Sequence, residues 1–340
     1  MASWLCWHWL GIEQPCDGSR GPSPPLGSDD NDNSQNTAPH CDCDHGHNPM
    51  RLLDTETLQL VDFVGEASLK GYAILSHTWG DGEILFDDVQ RGKSYLLGCG
   101  KPGLPKILGA VERARHRHRY LWIDTCCIDK SSSAELSEAI NSMFAWYQRA
   151  AVCFVYLSDF AHEDPEKLSG RQRWFSRGWT LQELIAPSVV EFYNERWVQF
   201  GTRESLKSRL SSITGIEELV FRWHPYGKCP ARPPFGLSGC EFCHNGLAHM
   251  LDSMSVSTRF AWAACRNTTR EEDTAYCLLG LFGVNMPLLY GEGREAFQRL
   301  QQEIVRKSTD QSIFAFAVRR ESLMSFGAQS LHFLFAGAPS

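Results

Sequence analysis

The sequence predicts an α/β fold, a parallel sheet flanked by helices, with further helical elements towards the C-terminal end. Two observations carry this. GYAILSHTWG (71–80), RYLWIDTCCIDK (119–130), AVCFVYLSDF (151–160) and SVVEFYNE (188–195) are apolar almost throughout. Strands buried on both faces read this way, whereas half-exposed strands alternate. Segments of helical pattern separate these four runs, giving the strand–helix alternation of a parallel sheet.

The elements follow in order. Residues 11–49 are rich in Gly, Pro, Ser, Asn and Asp, with DDNDNSQNT inside them. They supply little core, so 1–49 reads as a flexible N-terminal extension. The opening MASWLCWHWLGI lacks a basic start and a small-residue cleavage pattern, unlike a signal peptide. From Met50, MRLLDTETLQLVDF alternates and fits a hairpin or edge strand. A basic helix is predicted over 103–118. SSSAELSEAINSMFAWYQRA begins with a serine cap and keeps Ile140, Met143, Phe144 and Tyr147 on one helical face. RGWTLQELIAP is a short helix stopped by Pro187. These elements make an α/β core over 50–204. Residues 205–315 form a helical remainder, with an insertion rich in Pro, Gly, Cys and His at 222–250. Within it, SVSTRFAWAACRN, TTREEDTAYCLLGLFG and GREAFQRLQQEIVRK each read as a helix. QSIFAFAV reads as a final strand or extended segment, followed by a tail, 316–340.

Composition narrows the classes of function. A net charge of −7 and a pI near 6.0 argue against a strongly cationic surface for nucleic acid or membrane. No run of 18 apolar residues occurs, so no transmembrane helix is expected. Thirteen cysteines are too few for a dense disulfide scaffold of this length. They read as free thiols in a reducing, cytoplasmic compartment.

Open α/β sheets hold ligands beyond the carboxyl ends of their strands. Ser76, His77, Thr78, Trp79 and Gly80 end one run. Asp124, Cys126, Cys127 and Asp129 end another, and Ser158 and Asp159 a third. Glu183 follows on the next helix. If these ends adjoin, they line a polar cleft walled by Trp79, Trp174 and Trp179. Glu183 has two readings. It is a first-turn acid favoured by the helix dipole and paired with Arg177 or Arg173. Alternatively it is a catalytic carboxylate that stabilises positive charge on a sugar ring. His77 has the reference pKa of an acid–base group, or simply bonds a neighbouring carboxylate. Cys126 and Cys127 offer a thiol nucleophile with His77 as base. Their apolar neighbours favour an inert thiol instead. Asp124 and Asp129 suit a ligand hydroxyl or a helix cap. Arg259 and Arg266, seven apart, fall on one helix face, as structural tethers or towards a carboxylate or phosphate. No GxGxxG, Walker A or HExxH motif is present. GDG (80–82) and GEG (291–293) are too acidic to cradle phosphate.

Two clusters have metal-ligand types. Cys229, Cys240, Cys243 and His244 include a C-x2-C spacing suited to structural zinc, with His249 able to replace His244. CDCDHGH offers Cys41, Cys43, His45 and His47.

Several blocks, in order, carry a resemblance: GYAILSHTWG, LWIDTCCIDK, FSRGWTLQELIAP and TTREEDTAYCLLGLFGVNMPLLYGEGREAFQRLQQEI. Over about residues 50–315 the chain resembles the fungal heterokaryon-incompatibility (HET) domain. That resemblance implies an effector of nonself recognition or programmed cell death. The HET domain is in turn similar to the TIR domain, a flavodoxin-like fold, some members of which split NAD at its nicotinamide–ribose bond. Their glutamate lies in a W-x-x-x-E pattern, and WTLQE (Trp179 to Glu183) matches it. The resemblance thus implies Glu183 as a catalytic residue. Around it, the strand-end reading adds His77 and Asp124 as catalytic residues that orient substrate or water, and Ser76, Trp79, Asp129 and Trp179 as substrate-binding. NAD is then the substrate, and a homo-oligomer completes the cleft. A non-enzymatic module that self-associates and binds signalling proteins stands as the alternative. A biosynthetic enzyme using His77 or Cys126 on another substrate is a third.

Overall fold

The computed structural model describes residues 50–63, 71–223 and 241–314, with side chains omitted for 241–245. All of these fall within one compact unit, 46–340. Seven strands form one sheet: β1 (Met50–Asp54), β2 (Leu60–Phe63), β3 (Ala73–His77), β4 (Tyr120–Trp122), β5 (Val152–Tyr156), β6 (Val190–Tyr193) and β7 (Gln199–Thr202). Their order is β2-β1-β4-β3-β5-β6-β7. The central pairs, β4–β3, β3–β5 and β5–β6, are parallel. Antiparallel strands close both edges, β1 and β2 on one side and β7 on the other. The sheet is therefore mixed, where the apolar runs predicted a parallel one. The expected hairpin at Met50 is β1–β2. Strand β7 escaped the sequence reading because it is short and depends on a local turn. In that turn Asn194 Oδ1 accepts the Arg196 and Val198 N–H groups, both at 3.0 Å.

The chain leaves β3 for β4 on one side and reaches β5 on the other. The β3/β5 boundary is thus a switch point, where open α/β sheets form a crevice beyond the strand ends.

Helices α1 (Phe86–Gln90), α2 (Lys93–Gly98) and α3 (Leu104–Arg115) follow β3. The predicted 103–118 helix is α3, with proline in its first turn. Helix α4 (Ser133–Arg149) starts where Ser132 Oγ accepts the Glu135 N–H at 3.3 Å. It buries Ala139, Ile140, Met143, Trp146 and Tyr147, an apolar stripe at helical spacing. Phe144 is only partly buried. The run at 119–130 is a strand for three residues only. Cys126 and Cys127 both donate backbone N–H to Ile123 O, at 3.3 and 2.8 Å, and curl Asp124 into a turn. After β5 come α5 (Arg173–Ser176) and α6 (Thr180–Ile185).

The later half holds α7 (Lys207–Thr214), α8 (Glu241–Ser253, broken at Gly246), α9 (Val256–Ala263), α10 (Asp273–Tyr276) and α11 (Glu295–Lys307). The helix expected over TTREEDTAYCLLGLFG stops at Tyr276 and resumes as a single 3-10 turn, Gly280–Phe282. Gly280 lies against Phe144 of α4, where any Cβ would stand 2.0 Å from that side chain. The expected terminal strand is instead a 3-10 turn at Gln311–Phe314, with Asp310 Oδ1 accepting the Ser312 N–H at 2.8 Å. The rest of QSIFAFAV lies outside the described residues, as do 1–49 and 316–340. No helix among the described residues is long and apolar enough to cross a membrane.

Candidate active site

Helix α6 carries Glu183 and buries all six of its residues. So short a helix has most of its backbone donors and acceptors unpaired, and its neighbours must supply partners. Residues 176–178 run beside Asn267, whose N–H donates to Ser176 O (2.6 Å) and whose oxygen accepts the Gly178 N–H (2.9 Å). Only glycine permits this approach, since a Cβ at 178 would sit 2.6 Å from Thr268 Cγ2. Arg266 Nη1 donates to Arg177 O (3.0 Å) and to Thr180 Oγ1 (2.9 Å). At the other end Arg203 donates to the oxygens of Leu184 (3.0 Å), Ile185 (3.1 Å) and Ser188 (3.2 Å). Trp223 Nε1 donates to Ile185 O at 2.9 Å. Buried cations thus hold α6 from both sides.

Glu183 is 7% exposed, and its carboxyl accepts a hydrogen bond from Ser76 Oγ at the end of β3. Ser76 Oγ in turn accepts Trp174 Nε1–H at 2.7 Å. Burial pushes the Glu183 carboxyl up to about 8; the Ser76 bond opposes this, and the charge of Asp124 adds to it. Tyr147 of α4 donates to Leu75 O at 3.1 Å. Burial raises its phenol well above the usual range, and the charge of Glu183 adds to the rise. The arginines expected to pair with Glu183 are engaged elsewhere. Arg177 Nη1 reaches Thr269 Oγ1 (3.2 Å), and Arg173 donates to Trp79 O (3.1 Å) and, through its backbone, to Asp159 Oδ2 (2.8 Å).

Beside Ser76, His77 Nε2 lies 3.0 Å from Asp124 Oδ1, and Trp79 Nε1 donates to Asp124 Oδ2 at 2.8 Å. Lys130 donates to the Asp124 backbone oxygen at 2.6 Å and lies 3.8 Å over the Trp79 ring. Burial alone would raise the Asp124 carboxyl. The Lys130 charge, the His77 bond and charge, and the Trp79 bond outweigh it and hold the group well below the usual carboxylate range. In the neutral ring, the bond to ionised Asp124 puts the hydrogen on Nε2. Nδ1 is buried and without a partner among the described residues. The Asp124 side chain is 25% exposed, and Trp79 is 37% exposed. This edge of the cluster therefore meets solvent while Glu183 lies behind it.

The structure brings Ser76, His77, Trp79, Asp124 and Glu183 together and uses other candidates differently. Asp129 Oδ1 accepts from the N–H (2.9 Å) and Oγ (2.6 Å) of Ser131, a local turn. Trp179 Nε1 donates to Asp273 Oδ2 (3.3 Å), and Tyr290 donates to Asp273 Oδ1 (2.9 Å). Trp174 belongs to the core at 1% exposure rather than to a cleft wall. Cys126 and Cys127 are buried free thiols; the hydrogen bond with Cys127, and then burial, raise Cys126 far from a reactive thiolate. Arg266 lies beyond the end of α9, so it does not share a helix face with Arg259. Cys229 and Cys240, the side chains of Cys243 and His244, and the cluster Cys41, Cys43, His45 and His47 lie outside the described residues. Among the described residues no group of three or more His, Cys, Asp or Glu is placed to hold a metal ion.

Sequence reasoning missed Lys130, Tyr147 and Arg203 as parts of this arrangement. Lys130 closes the DTCCIDK stretch, and that position was its only signal. Tyr147 reads as core because it falls on the apolar face of α4. Arg203 acts across 18 and 19 positions of chain and leaves no local signal. Chemically, the result is two carboxyls with opposed ionisation, a neutral one on α6 behind Ser76 and a charged one in the turn after β4. This is a common division of labour between acid–base partners.

Comparison with known proteins adds a family. Residues 72–169 match the family described as Heterokaryon incompatibility protein (HET). Residues 295–330 match a domain of unknown function, DUF8212. The chain is 41% identical over 270 residues to the vegetative incompatibility protein HET-E-1 of Podospora anserina. That alignment covers 75% of this chain and 18% of the relative's length. No solved structure matches the chain.

Proposed function

From the match of residues 72–169 to the heterokaryon-incompatibility family we propose that the chain is a member of it, a fungal incompatibility and cell-death effector that hydrolyses the nicotinamide–ribose bond of NAD. One observation carries the reading. Glu183 is buried against Ser76 at the end of β3, its carboxyl is pushed up to about 8, and the charge of Asp124, beyond the neighbouring β4, adds to that rise. The strand order β4-β3-β5-β6 supports it, since it follows the 2-1-3-4 order of flavodoxin-like sheets. The WTLQE match to TIR enzymes points to the same glutamate.

In the reaction the C1′–N bond of the nicotinamide riboside breaks and its electron pair leaves with nicotinamide, which departs neutral. Positive charge grows on the ribose. A cation beside Glu183 favours its carboxylate, so the proton leaves as the charged sugar arrives, and the resulting anion stabilises the ribosyl cation. Water adds to C1′ and loses a proton to bulk solvent, with His77 and Asp124 orienting it. The products are nicotinamide, ADP-ribose and a proton. The described free cysteines suit a reducing cytoplasm. Assembly of several chains completes the substrate cleft. The proposal includes a structural zinc on Cys229, Cys240, Cys243 and His244, and elemental analysis of purified protein should find one zinc per chain.

A second reading, a non-catalytic self-association module, draws on the same burial. At 7% exposure and bonded to Ser76, Glu183 is also a satisfied core acid. Incubation with NAD separates the two. The intact protein should release nicotinamide and Glu183→Gln, with its fold confirmed by circular dichroism, should not. No turnover by the intact chain in monomeric or assembled form would overturn the enzymatic reading.

A further inference from the structure

A cavity of about 380 Å³ lies among α4, α8, α9, the 280–283 turn and the end of α11, and none of the strand-end residues lines it. Phe144, Leu251, Leu281, Phe282 and Ile304 give it apolar walls. Its volume falls in the range of small-molecule sites.

Its polar groups are unevenly matched. Arg259 is 6% exposed, yet no carboxylate bonds it closely. Nη1 donates to Leu281 O at 3.1 Å, and the guanidinium lies 4.7 Å from the Phe282 ring centre. Its Nε has no partner among the described residues. Asp252 stands 3.9 Å away on a side chain 78% exposed, where water screens it. Asp310, the other acid of the lining, already accepts the Val256 N–H (2.6 Å) and the Ser312 N–H (2.8 Å). Lys307 donates to Gly283 O and adds a second cation. A buried guanidinium set among apolar walls, bonded to one carbonyl and 3.9 Å from one exposed carboxylate, lacks a close acceptor that carries charge.

We propose that this cavity binds a small organic monocarboxylate, whose oxygens meet Arg259 and Lys307 and whose aromatic or aliphatic body lies against Phe144, Leu281 and Ile304. Inorganic phosphate fits less well. It has no apolar body, and a dianion would meet the repulsion of both Asp252 and Asp310. The site is separate from the one assigned to NAD, although α4 borders both, with Tyr147 towards Glu183 and Phe144 towards the cavity.

Calorimetric titration of the full chain tests this with phenylacetate, its neutral isostere phenylacetamide, and inorganic phosphate at matched ionic strength. Phenylacetate should bind saturably, one per chain, and roughly tenfold or more tighter than the amide. Phosphate should not displace it. Arg259→Gln should weaken phenylacetate by about tenfold and leave the amide unchanged. That change also alters the bond to Leu281 and can unfold the chain, so Ala248→Trp is the independent block. It fills the cavity from α8, removes no hydrogen bond, and should abolish binding. Equal affinity for acid and amide, displacement by phosphate, undiminished binding in Ala248→Trp, or no saturable binding of phenylacetate would each overturn the proposal.

Discussion

The strand-end cluster and the helical half both bury ionisable groups, but they handle charge differently. Burial pushes Glu183 up to about 8, so at neutral pH this carboxyl is mostly uncharged. Burial lowers Arg266 to about 10, and it lowers Arg259 as well, yet both remain cations at neutrality. A carboxyl sheds its charge by taking one proton, whereas a guanidinium starts too high to lose one. Arg266 is therefore surrounded by oxygens, those of Trp262, Arg177 and Thr180, and acts as a tether. Glu183 bonds Ser76 and is mostly neutral, and the proposed reaction has it gain a charge when a cation approaches. A buried group whose charge switches is available to a reaction; one whose charge is permanent is committed to architecture.

Four measurements break or sharpen this contrast. Glu183→Gln keeps a neutral group within reach of Ser76, so thermal stability at neutral pH should change little. Nicotinamide release should fall about 10²–10³-fold, as when one transition-state contact is lost. Wild-type turnover in that variant erases the distinction. Arg266→Met should do the reverse. It strands the oxygens of Trp262, Arg177 and Thr180 and should lower unfolding free energy by about 3 kcal/mol in urea titrations. An unchanged urea midpoint would show that the tether is dispensable.

The third measurement is pH dependence. The folded value of Glu183, about 8, lies above the ordinary glutamate value of 4.5. Its contribution to stability is complete below 4.5 and falls as pH rises to about 8, by about 1.4 kcal/mol per unit at most. Glu183→Gln should lack that slope, while kcat/KM of the wild type should climb over the same window as the carboxylate forms. Parallel stability curves for the two proteins would mean that the group is already ionised. The smallest effect is expected at the rim. Trp79→Phe removes the N–H bonded to Asp124 and keeps a ring beneath Lys130. A loss of about 1 kcal/mol, roughly fivefold in kcat/KM, should follow; a hundredfold loss would move the indole into the chemistry itself.

The parallel strands were legible because β3, β5 and β6 lie in runs that are apolar almost throughout, and α4 because Ser132 and its apolar stripe both lie within one segment. The antiparallel edge β7 was not, since its turn depends on how Asn194 folds back. The single helix expected over 268–283 stops at Tyr276 and resumes as a turn at Gly280, whose packing against Phe144 reaches across the chain. In the site, Ser76, His77 and Asp124 stood out as polar residues ending apolar runs. Their partners did not. Ser76 meets Glu183 across 107 positions and Trp174 across 98.

By itself the sequence determined the alternation of elements and the strand ends at which reactive side chains collect, because periodicity and turn chemistry act over a few residues. Only the tertiary structure decided that Glu183 turns inward and loses its charge, that Asp124 keeps its own, and that Trp179 bonds Asp273. Those outcomes depend on burial and Coulomb interactions among residues distant in the chain, which no local pattern encodes.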